Sequence, residues 1–277
     1  MNLEGVMACV FGKRGAKYYL PFLFFSFVAI VWWFPVISHF GTNVAGVGGD
    51  PYQTSWRIVK LGEAVRQGSL TVAEESTFPN ISPLPWLPVY YLFGEIVAYN
   101  TAWLLSAILA GYFGFLLARK WGAYLWPSVM AGLMIEFAPY RIAQSLGHFG
   151  AMQIWVILAA LFSLTAWNRK SARGWLLLTL FFTLVAAWTD HQLFIVLMIV
   201  YFVFGAGYWR QLRRLNYKMA ISLLVAPVIV IVIAIFPFWK SAVNVATGKM
   251  SLNLGNTQRQ AYSANLRSLL LSPAFLI

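Results

Sequence analysis

The chain has 277 residues, is 60% hydrophobic, 17% aromatic and only 10% charged, and carries a formal charge of +12. With a mean hydropathy of +0.70, that composition excludes an ordinary soluble domain. The basic excess does not point to nucleic acid, because the charges fall between apolar runs and no soluble domain is left to bind it. Cys9 is a lone cysteine, so the chain contains neither a disulfide framework nor a cysteine metal site.

Residues 1–17 read as a short basic N-terminus. The apolar stretch that follows, Tyr18–Ser38, is too long for the core of a cleavable signal and has no small-residue cleavage site after it. It is the first of seven predicted membrane helices, at about 18–38, 99–118, 122–139, 151–168, 174–189, 192–209 and 219–239, each near the roughly 20 residues that a bilayer needs. The fold class is therefore an all-α membrane protein. "ARKWG", "NRKSARG" and "WRQLRRLNYK" fall on one side with Lys13, Arg14 and Lys17 if the count is seven. By the positive-inside rule that side is cytoplasmic. Trp32, Trp33, Trp188, Trp209 and Trp239 stand near span ends and read as interface anchors.

A long outer loop, 39–98, follows the first span. It opens on "GVGGDPYQTSWRIVK", where Asp50 stands behind a glycine pair and Gln53 three residues further on. "TSWRIVKLGEAVRQGS" reads as an amphipathic helix lying flat on the membrane. Trp56, Ile58, Val59, Leu61 and Val65 face down, Arg57, Lys60, Glu63 and Gln67 face out, and Thr54 or Ser55 caps a start just after Asp50. "PLPWLPVYYLFGEIVAYN", Pro83–Asn100, is apolar but interrupted by three prolines and Glu95. Counting it as a span would invert every later basic loop, so it reads as a re-entrant or interfacial segment. Asn80-Ile81-Ser82 fits a glycosylation sequon, a pattern too common to carry a function.

Three more polar clusters land on the outer side: Tyr140, Arg141, Gln144, His148 and Gln153 after the third span, Asp190 and His191 between the fifth and sixth, and Lys240, Arg259, Tyr262 and Arg267 in the tail 240–277. Glu136 lies within the third span near its outer end, where a carboxylate needs a partner or a wet cavity. Bland roles exist for each: Asp50 as a turn residue, Asp190 and His191 as helix caps, His148 as an interfacial histidine, and Arg141 as a headgroup contact. The alternative is that Asp50, Arg141, His148, Asp190 and His191 gather around one outward cavity.

A first span, a long outer loop opening with an aspartate, a membrane-lying amphipathic helix and a seven-span module resemble the GT-C superfamily. These are multi-span glycosyltransferases that take sugars from polyprenyl-phosphate carriers. "GGDPYQTSW", "AYNTAWLLSAILAGYFGFLLAR", "FAPYRIAQSLGHFGAMQIWVIL" and "QAYSANLRSLLLSPAFL" look like its YfhO-like and protein-mannosyltransferase-like branches. The resemblance implies a prokaryotic cell-membrane enzyme whose active face is extracytoplasmic. It implies transfer of a sugar from a polyprenyl-phosphate donor to an acceptor glycan, lipid or protein, with membrane lipids as further partners. It makes Asp50 the general base or the residue that positions acceptor or metal. Gln53, Tyr140, Arg141, His148, Asp190, His191, Lys240 and Arg259 become candidates for holding substrate, with Arg267 as a further cation. A divalent cation, Mg or Mn, is compatible with two Asp and two His but not required by their spacing. Members of the superfamily continue beyond the seventh span, so the tail is expected to lead into a further C-terminal part. A transporter or flippase for a lipid-linked or polar substrate is the alternative, and would carry polar residues near the midplane. A non-catalytic assembly subunit is the third reading, and would close the face beside Asp50.

Overall fold

The computed structural model describes residues 13–47, 49–68, 83–170 and 173–207. Every regular element among them is helical: α1 Lys13–Trp32, α2 Phe34–Ile37, α3 Gly49–Arg66, a 3₁₀ turn Leu84–Trp86, α4 Leu87–Lys120, α5 Leu125–Glu136, α6 Pro139–Ser145, α7 Trp155–Lys170, α8 Arg173–Thr189 and α9 His191–Gly207. The first six predicted spans coincide with α1–α2, α4, α5, α7, α8 and α9. The seventh, 219–239, the sequon at Asn80 and the tail with Lys240, Arg259, Tyr262 and Arg267 lie outside the described residues.

Among the described residues, one helix, Leu84–Lys120, is long and apolar enough to cross a bilayer. Tyr18–Trp32, Trp155–Trp167, Gly174–Thr189 and Gln192–Val203 are apolar but shorter. At 1.5 Å per residue, a 16- or 17-residue helix reaches only about 24–26 Å against a hydrocarbon core of about 30 Å. Rows of large apolar side chains nevertheless point outward: Leu20, Leu23, Phe27 and Ile30 on α1, Leu177 and Phe181 on α8, and Ile195, Ile199 and Phe202 on α9.

The hub is α4, which packs against α1, α3, α5 and α7, while α8 packs between α7 and α9. Its tightest crossing is with α5. A Cβ added to Gly132 would stand 2.7 Å from the Gly111 carbonyl oxygen and clash with the edge of the Phe25 ring, which α1 wedges into the same gap. Small residues let helix backbones approach this closely. Gly132→Ala is therefore expected to cost about 1–3 kcal/mol by overpacking. Thermal unfolding of Gly132→Ala and of Gly132→Ala combined with Phe25→Leu checks this, and the second variant should recover part of the loss.

Pro83–Asn100, expected as a re-entrant or interfacial segment, is helical in two pieces. Its first half is the 3₁₀ turn and the opening turns of α4. Gly94 then breaks the helix at φ 85° and ψ 174°, a backbone shape that only glycine adopts readily. Past Gly94 the chain continues as the long remainder of α4, which buries Ala98, Tyr99 and Asn100.

Helix α3 also departs from expectation. It begins at Gly49, so Asp50 is its second residue, and Thr54 and Ser55 are buried inside it rather than capping it. Part of its apolar face is covered by protein, while Trp56 stays exposed. Ile58 and Leu61 are buried with Leu87, Ala98, Tyr99 and Trp103, and the Tyr91 hydroxyl donates to the Gly62 carbonyl at 2.9 Å. Protein covers that part because α4 lies alongside it. Trp33 and Trp188 are likewise not free anchors, since their indole nitrogens are buried without a hydrogen-bond partner. Trp33 packs edge-on against Trp103 with ring centroids 4.7 Å apart.

Candidate functional site

Three pieces of chain meet at the α3 end of the bundle. The first is held by Asn100 of α4, which is fully buried. Its side-chain oxygen accepts from the Ala45 amide at 2.8 Å, and its nitrogen donates to the carbonyls of Phe40 at 2.7 Å and Asn43 at 2.8 Å. This clamp sets where the chain enters α3. The second is the stretch from α6 to α7. The Trp103 indole donates to the Ser145 carbonyl at 2.9 Å, the Val47 amide donates to the Leu146 carbonyl, and Phe149 packs on Tyr99 at 5.4 Å. The third is the corner between α8 and α9, where Asp190 caps α9 by accepting from the Gln192 amide at 2.7 Å.

Between them lies a cavity of about 200 Å³, lined by Gln53, Thr54, Arg57, His148, Phe149, Gly150, Thr189 and Asp190. Loop and corner almost touch: a Cβ on Gly150 would stand 2.7 Å from the Asp190 Oδ2 and 3.1 Å from the Thr189 carbonyl. One oxygen of Asp190 is spent on the cap, and the other faces Gly150. The lining combines a guanidinium, a carboxylate, an imidazole, an amide and two hydroxyls. It offers donors and acceptors of both charge signs within a space below the roughly 300–1,000 Å³ of drug-sized pockets. Such a space suits a small polar group rather than a whole lipid.

Of the residues expected here, Gln53, His148 and Asp190 line the cavity. Asp50 stands three residues before Gln53 and seven before Arg57 on α3, a spacing that puts these positions on one helical face. The side chains of Asp50 and His191 lie outside the described residues, and His191 opens α9 directly after Asp190. Tyr140 is exposed and within electrostatic reach of Asp190. Arg57 is the residue that sequence reasoning missed. From the sequence it reads only as part of the solvent face of an interfacial helix, although its spacing from Asp50 and Gln53 is helical. Among the described residues, no group of three His, Cys, Asp or Glu is arranged to hold a metal.

Arg141 is not part of the cavity. It is 1% exposed, and its Nε donates to the Glu136 carbonyl. Nor does Glu136 sit near the cavity end. The α5 helix is only 12 residues long, so it ends partway along α4, and the Glu136 carboxylate packs against Gly111. From Gly111 to Tyr99, which marks the cavity level, is 12 residues of α4, or about 18 Å.

The chain belongs to a family described as "Domain of unknown function (DUF6311)", whose model matches residues 84–275, more than two thirds of its length. His148, Phe149, Gly150, Thr189 and Asp190 fall within the matched range, whereas Asp50, Gln53, Thr54 and Arg57 precede it. No curated protein and no solved structure matches the chain.

Proposed function

We propose that this DUF6311 protein is an integral membrane glycosyltransferase of the GT-C type. It moves a sugar from a polyprenyl-phosphate donor to a glycan, lipid or protein acceptor on the extracytoplasmic face of a prokaryotic cell membrane. The observation that carries the reading is the small polar cavity under the start of α3, with Asp50 one helical turn from Gln53 and Thr54. The outward apolar rows on α1, α8 and α9 favour a lipid surround, because exposed apolar surface of that extent is rare on soluble monomers. In this proposal seven helices cross the bilayer, the shorter ones through locally thinned lipid or with their ends extended.

The chemistry is an inverting displacement. The acceptor oxygen attacks the anomeric carbon, the bond to the lipid phosphate breaks, and the phosphate leaves with its electron pair. The acceptor proton passes to Asp50. Phosphate is already a good leaving group, so the site's tasks are basicity at the acceptor and positive charge at the phosphate. Arg57 supplies the nearest cation, with a planar fork suited to phosphate oxygens. Gln53, His148 and the free oxygen of Asp190 bond to sugar hydroxyls.

The test is transfer of labelled sugar by purified protein and by Arg57→Ala and Asp190→Asn, the latter keeping the α9 cap. Losing Arg57 should raise the donor KM at least tenfold, and Asp190→Asn should lower kcat/KM by a similar factor. Variants that transfer like the wild type would remove the cavity from the reaction. One observation favours transport instead: the buried charges of Glu136 and Arg141, deep along α4, resemble the polar residues that transporters place near the midplane.

A further inference from the structure

Of the seven buried side-chain polar atoms without a hydrogen-bond partner among the described residues, four belong to two charged side chains: both carboxylate oxygens of Glu136 and both terminal guanidinium nitrogens of Arg141. The residues are 0% and 1% exposed. Each is within electrostatic reach of the other, yet they do not touch as an ion pair. Arg141 commits only its Nε, to the backbone carbonyl of Glu136, where α5 ends. Buried polar groups in folded proteins are almost always satisfied, and a guanidinium cannot escape its charge by losing a proton.

The charges restrict what can satisfy them. An anion on Arg141 would meet the Glu136 carboxylate, and a cation on Glu136 would meet the guanidinium. A neutral group that both donates and accepts suits both at once, and water is the smallest. We propose that Glu136 and Arg141 form a water-bridged charge pair inside the bundle, with ordered water accepting from the Arg141 Nη groups and donating to the Glu136 oxygens. The pair makes a polar site outside the cavity lining, with Glu136 packed at Gly111, about 18 Å along α4 from Tyr99, and lets α5 end partway along α4 without an uncompensated charge. The inference stands whether or not the protein transfers sugar.

Two measurements on the full chain in detergent or nanodiscs test it. In hydroxyl-radical labelling with ¹⁸O water, Phe25 is the reporter. It is 0% exposed, and it shares the Gly111 contact with the Glu136 carboxylate. Internal water predicts labelling at Phe25, with slow exchange of the bound ¹⁸O water, and its loss in the Glu136→Gln, Arg141→Met double variant. An unlabelled Phe25 in the wild type would overturn the proposal, and this arm needs no variant to fold. In a stability cycle, each single substitution should lower Tm by several degrees, and the double should lose clearly less than the sum. Strict additivity would show that the two charges do not compensate each other, and would also overturn it.

Discussion

Asp50→Asn is expected to lower sugar transfer by about 10²–10⁴-fold, the usual worth of general-base assistance, or about 3–5 kcal/mol of barrier. Asn keeps the shape of the side chain and removes its charge and basicity. The structural cost should be small. Asp50 is the second residue of α3, where a carboxylate gains about 0.3–1 kcal/mol from the helix dipole. A helix-start role and a catalytic role thus differ by several kcal/mol and in the quantity that registers the loss. Turnover of a polyprenyl-phosphate sugar, measured beside thermal stability, separates them. A variant within a few-fold of wild-type turnover would leave Asp50 as a helix-start residue.

Asn100→Leu should be the most damaging single change to the fold. It removes three hydrogen bonds and strands the Ala45 amide and the Phe40 and Asn43 carbonyls beside a buried side chain. At about 1–3 kcal/mol per unsatisfied group, a loss of about 3–5 kcal/mol is expected after partial relaxation. That is a large share of a typical domain's total stability. The loop that Asn100 holds leads directly into α3, so the cavity wall should loosen with it. Thermal unfolding checks the magnitude, and protease sensitivity of the 40–47 loop checks the location. A shift in Tm of only a degree or two would mean that the clamp is dispensable.

Hydrophobic runs made the helices legible because their length and composition are local properties. Where the chain packs was less legible. The apolar face of α3 looks the same in sequence whether lipid or α4 covers it, and its Ile58 and Leu61 share a core with Leu87 before Gly94 and with Ala98, Tyr99 and Trp103 after it. Polar residues after the third span suggested one outer cluster, and His148 does reach the cavity. Arg141, seven residues earlier, turns inward because α5 stops after 12 residues and leaves its last carbonyl and a carboxylate to be met. Gln53 and Asp190 were recognisable as polar residues beside predicted spans, but their meeting depends on a crossing of helices that no local pattern encodes. Arg57 was the opposite case, since its helical spacing from Asp50 was in plain view. Asn100 gave no signal, because a buried clamp and a surface amide read alike.

The most direct test of the central claim follows a doubly labelled donor, with one label on the sugar and one on the polyprenyl phosphate, added to purified protein in sealed vesicles. The account predicts that the sugar label leaves the lipid and appears on an acceptor while the phosphate label stays with the lipid, and that Asp50→Asn stops the separation. Both labels crossing the bilayer together, with the donor intact and Asp50→Asn indifferent, would contradict it and make the protein a carrier of lipid-linked sugar rather than a transferase.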